Sequence, residues 1–235
     1  MGYWKGTDVK STIMFKSFLI LIGLLFIYSF SIPKKFGSIF INYDNLVEGY
    51  KVSIKFTPKV VYYEDHIIGR GTIFFHHIKT NQKFKIYNPM MGFPTGVLPI
   101  HLSKNKRWIE RLNKRSINLK YNFKDRTLSK TEFGNFGTTE VPFFFYDLNL
   151  DSVKELLIPQ MNSGQRGVAI FKPFESHNGK FYRSKNSFLR KKPFSVLDEM
   201  TTIDRKKKQI IMHCSGGYKD SYSIVYKINK YCHHK

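Results

Sequence analysis

No long alanine- or leucine-rich periodic stretch runs through the body of this chain, which removes the usual signature of a helical fold. Acid is also short, with 17 Asp+Glu against 39 Lys+Arg and a formal charge of +22. The basic excess is spread over both halves, so no basic tail hangs from a neutral domain, and acidic partners are favoured throughout. Cysteine is confined to Cys214 and Cys232. None lies beside the N-terminal apolar run, which argues against a lipid-modified N-terminus, and the pair admits one disulfide in an oxidising compartment or two free thiols. Catalytic patterns are missing too. Ser215 precedes two glycines without the Gly-x-Ser-x-Gly spacing of a nucleophile elbow, and no pair of carboxylates is placed across a recognisable cleft. The chain reads as a binding protein, not an enzyme.

What is present is aromatic and alternating. Phe and Tyr number 22 and 14, and such residues suit strands. Tyr50 to Phe56 and Val60 to Tyr63 read as strands, and Gly69 to His76 with Gln82 to Tyr87 reads as a hairpin about HIKTN. From Pro142 strands recur at 142–146, 155–158, 167–174, 179–183, 209–213 and 221–228, separated by NSGQRG, SHNG, DRKKK and SGGYKD. NPMMGFPTGVLP reads as a loop, either packed over a sheet edge or offering Met and Phe for docking. KNKRWIERLNKR reads as a short surface helix with one buried face, and DRKKKQ as a solvated hairpin turn. The adjacent His76 and His77 should point to opposite faces of a strand. At the front, Lys10 and Lys16 precede an uncharged run from Phe18 to Ile32, closed by Pro33, Lys34 and Lys35. That is the pattern of an export signal or a single N-terminal anchor over 1–33, ahead of a β-rich body from 36 to 235.

The densest chemistry lies in DLNLDSVKE. Side-chain oxygens of Asp147, Asn149, Asp151 and Glu155, with the Val153 carbonyl, occupy relative positions 1, 3, 5, 9 and 7, which is what a calcium ion asks of a short loop. Ser152 stands where such a loop usually has glycine, and Ile158 stands at position 12. Three readings stay open: a calcium loop, a metal-free acidic turn held by Asp and Asn bonds to the backbone, and a degenerate loop steadied by Lys154 or another base.

The segments VPFFFYDLNLDSVKELLIP, GVAIFKPF, NGKFYRSKNSF and VLDEMTTIDRKKKQIIMHCSGGYKDSYSIVYKI, spanning 141 to 228, resemble a group of bacterial envelope proteins with propeller-like repeats and an Asp-x-Asn-x-Asp-Gly-x-x-Asp loop. Its best understood members are periplasmic inhibitors of lysozyme-like secretion-system effectors. In that pattern Asp147, Asn149 and Asp151 match the loop, Glu155 replaces its last aspartate and Ser152 its glycine. The expectation is an all-β, antiparallel fold, propeller-like or sandwich-like, after the N-terminal hydrophobic segment. The resemblance implies a periplasmic immunity protein, soluble or tethered to the inner membrane, that occludes a peptidoglycan hydrolase. The alternative is an envelope module recognising an acidic protein, an anionic wall polymer or a lipid surface. The export pattern argues against nucleic acid as partner. Provisional docking surfaces are 90–98, Asn162 to Arg166 and Gly216 to Asp220, and Cys214 with Cys232 is the candidate disulfide.

Overall fold

The structure is a computed structural model that describes residues 36–62, 66–105, 109–122, 141–161, 169–183, 187–198, 201–215 and 221–228. The chain divides into two compact units, Met1–Lys35 and Phe36–Lys235, and the elements of the described residues lie in the second. The leader lies outside the described residues, among which no helix is long and apolar enough to cross a membrane.

The first sheet grows from simple alternation. β1 (Ile39–Tyr43) reads IFINY, and its odd positions are buried while Phe40 and Asn42 face outward. β2 (Tyr50–Tyr62) pairs antiparallel with β1 and with β3 (His66–His77), and β3 pairs antiparallel with β4 (Lys83–Pro94). A small hairpin joins β5 (Ile100–Leu102) to β6 (Ile109–Leu112). β7 (Ser116–Leu119) then returns to run parallel with β1, giving the five-stranded order β4-β3-β2-β1-β7. Each fully buried Ile or Phe on the inner face is worth roughly 1.5–3 kcal/mol.

Two expectations for this region are corrected. Residues 88–94 are not a loop: a register shift between Gly69 and Gly71 lets β4 continue, with Met91 and Phe93 turned inward. The proposed docking stretch 90–98 therefore contributes Met91, Phe93 and Leu98 to the core. Ile109–Leu112, expected in a surface helix with one buried face, forms strand β6, because its backbone pairs with β5 while Ile109 is still buried.

The second sheet has the order β11-β10-β9-β8, from β8 (Phe144–Tyr146), β9 (Glu155–Met161), β10 (Ala169–His177) and β11 (Lys180–Tyr182). Phe143, Phe145, Leu156, Ile158 and Phe181 pack with the first sheet in one core. The rings interlock there: Tyr50 stacks on Phe145 with centroids 5.9 Å apart, and Phe75 meets Phe143 edge-on at 5.3 Å. The alternate residues Phe144, Tyr146, Leu157 and Phe171 enter a second core. With both faces buried, these strands read as a continuous apolar run and lose the alternation of half-exposed ones.

The second core is closed by two 3-10 turns, Phe188–Arg190 and Phe194–Val196, and by a sheet of β12 (Thr202–Asp204), β13 (Gln209–Ser215) and β14 (Ser221–Lys227). The basic turn 205–208 joins β12 to β13 as expected, and Arg205 folds back so that its guanidinium lies 5.1 Å from the Tyr146 ring centre. The fold is thus largely antiparallel and all-β, in several sheets. The propeller expectation is corrected: among the described residues no sheet closes, and the sheets share cores face to face instead of radiating as blades.

One buried amide joins the first two sheets. Asn88 sits at the β4 irregularity with no exposure; its Nδ2 donates to the Pro159 carbonyl at 2.8 Å, and its Oδ1 accepts from the Met90 amide at 3.0 Å and Gln160 Nε2 at 3.3 Å. Every polar atom of that side chain is used, which is the condition for burying it.

Candidate functional site

The acidic loop leads from β8 into β9, and its geometry explains why these residues occur together. Asp147 Oδ1 accepts from the Asp151 amide at 3.1 Å and Oδ2 from the Ser152 amide at 3.1 Å. Asn149 Oδ1 accepts from the Asp151 amide at 3.2 Å, and Asp151 Oδ1 accepts from the Val153 amide at 2.8 Å. Leu150 and Ser152 take left-handed backbone, with φ of 62° and 71°. Ser152 therefore adopts the conformation for which such loops usually keep glycine. Lys154 reaches away from the loop to Glu48, at 2.6 Å, pinning the β1–β2 turn.

In the loop as it stands, two of the expected calcium ligands are turned elsewhere. The Asn149 amide nitrogen, not its oxygen, faces Asp151 Oδ2 at 2.8 Å. Glu155 is turned inward beside Leu157, is 3% exposed, and accepts from the Leu148 amide at 2.8 Å. Burial pushes its carboxyl up to about 8; the Leu148 hydrogen bond opposes this, and the charges of Asp151 and Asp147 add to it. Among the described residues no group of three acidic, histidine or cysteine side chains converges for a metal. The Asp147, Asn149 and Asp151 oxygens accept from the loop's own amides, and each carboxylate keeps further lone pairs.

A different surface gathers chemistry that the sequence reading did not assemble. The outward face of the five-stranded sheet aligns Lys51, His76 and Lys83 in one cross-strand row, and Asn118, Asn42, Ser53, Phe74 and Lys85 in the next. The third row holds Phe40, Lys55, Thr72 and Tyr87. Phe40 is 48% exposed, Phe74 40% and Tyr87 60%. The first two rows line a groove of about 880 Å³, with Asp44 at its edge. Lys55 lies over the Phe40 ring at 5.8 Å. No ion pair joins Lys51, Lys55, Lys83 or Lys85 to an acid among the described residues. No two of these lysines are direct cross-strand partners, but they share one face, and their charges add to a local positive potential. That potential favours an anionic ligand.

The remaining candidates are placed simply. His76 Nε2 pairs with Asn81 Oδ1 at 2.7 Å and His77 Nδ1 with Thr80 Oγ1 at 2.8 Å, so the two rings part as expected. Cys214 lies in β13 opposite Tyr222; Cys232 is outside the described residues, as are Asn162 to Arg166 and Gly216 to Asp220. Compared with protein-family models, with curated proteins and with solved structures, the chain matches none.

Proposed function

We propose that this chain is a binding protein of a bacterial envelope that grips an acidic partner with the outer face of its first sheet, and that the partner is a peptidoglycan hydrolase held inactive. The observation that carries the reading is the cluster of unpaired Lys51, Lys55, Lys83 and Lys85 around exposed Phe74 and Tyr87. Exposed aromatics supply contact area, and unpaired lysines speed encounter with an acidic surface. The net charge of +22 acts in the same direction over a longer range. The choice of hydrolase comes from the resemblance over 141–228. The reading assigns the chain binding and no turnover. Calcium enters it only as an ion that Asp147, Asn149, Asp151 and the Val153 carbonyl would hold.

The test titrates the full chain against the wall hydrolase encoded beside it, following cell-wall turbidity and complex formation by calorimetry. Inhibition with a defined stoichiometry is expected, and Lys51→Glu with Lys83→Glu should weaken it at least tenfold while the protein stays folded. Full hydrolase activity with no complex at micromolar protein would overturn the inhibitor reading. Saturable retention on an anionic wall polymer, lost in the same double variant, would then transfer the face to that partner.

A further inference from the structure

We infer that Arg183 and Arg190 form a second site, separate from the outer sheet face, that binds a phosphate group. Arg183 follows β11, and its Nε is buried with no hydrogen-bond partner. A buried donor without a protein partner takes one from outside the chain, and an anion beside a second guanidinium would supply it. Arg190 ends the first 3-10 turn and brings a second guanidinium to the same place, its Nη2 reaching the Arg183 carbonyl at 3.5 Å. Lys191 and Lys192 follow directly, both exposed.

Among the described residues no acid pairs with this group. The carboxylate on the adjoining strand, Glu175, is engaged by the Ser187 hydroxyl, which itself accepts from the Leu189 amide at 3.0 Å. Neither arginine forms an ion pair among the described residues. Burial first, and then the charge of Arg190, holds the Arg183 pKa below its ordinary value, the direction expected of a cation short of counter-charge. Guanidinium presents a planar fork of donors matched to oxyanions, and two such forks suit a multiply charged phosphate better than a single carboxylate.

The experiment is calorimetry of the full chain with inorganic phosphate, against chloride at equal ionic strength, repeated with a glycerol phosphodiester. Saturable phosphate binding is expected, weakened at least tenfold in Arg183→Gln and in Arg190→Gln. Lys51→Glu with Lys83→Glu should leave it unchanged, which separates this site from the outer face. Arg190 is exposed, so its variant keeps the test valid should Arg183→Gln fail to fold. Binding of both probes supports a phosphate site open to free phosphate, and binding of the diester alone supports one that reads phosphate within a polymer. Absence of saturable binding to either probe, or equal affinity in wild type and Arg190→Gln, overturns the assignment.

Discussion

Glu155 shows how one side chain sets a stability that varies with pH. Its ordinary pKa is 4.5, and in the folded protein burial raises it to about 8. Between those values the folded state keeps a proton that the unfolded chain has released, so raising the pH favours unfolding. Stability from this group is intact below the ordinary value and is lost as pH climbs through about 8. Glu155→Gln, which can still accept from the Leu148 amide, should flatten that slope and stabilise the chelated protein above the window by about 2–4 kcal/mol. Urea midpoints measured in chelator on either side of the window check it. A wild-type midpoint that rises with pH across the window would mean that Glu155 is ionised in the folded state and turned outward, as a calcium ligand would be.

At the level of elements, the β2–β3–β4 meander depends on one close approach. A Cβ on Gly69 would run into the Thr57 carbonyl and come within 2.8 Å of Pro58 Cα, both backbone and unable to swing aside. Gly69→Ala should therefore cost about 1–3 kcal/mol. Gly37→Ala, which meets nothing within 4 Å, serves as the control, and equal denaturation midpoints for the two variants would contradict the account. The same region shows where the sequence is readable. Strands 50–56, 69–76 and 82–87 follow from strict alternation closed by a polar turn, and 209–213 and 221–228 flank turn-forming residues. Asn88–Pro94 does not, because the irregularity at Gly69–Gly71 shifts the buried parity between Asn88 and Met91 and disguises a strand as a Pro/Gly loop. Ile39–Tyr43 and Ser116–Leu119 are short and pair in parallel across 76 residues, a partnership that no local pattern announces. The basic–aromatic face was half visible: Lys51, Ser53 and Lys55, and Lys83, Lys85 and Tyr87, alternate in plain view. Only the cross-strand register places them side by side. The acidic loop was legible as chemistry, but the inward turn of Glu155 was not.

For the whole molecule, the middle sheet decides how the protein comes apart. Phe144 and Phe145 are neighbours in sequence yet fill different cores. Phe144→Ala and Phe145→Ala should each cost about 3–5 kcal/mol. Both variants should still melt in one transition, because losing either core strips one face of a sheet the other needs. Calorimetry with two resolved transitions in either variant would show that the cores melt independently. The doubly buried sheet also restricts how this chain can be inherited and recombined. A crossover within 144–158 would leave each product with an uncovered apolar face, so neither half can be duplicated, exchanged or shed as a module. New sequence is tolerated where the backbone already turns in solvent, as within the basic turn before β13.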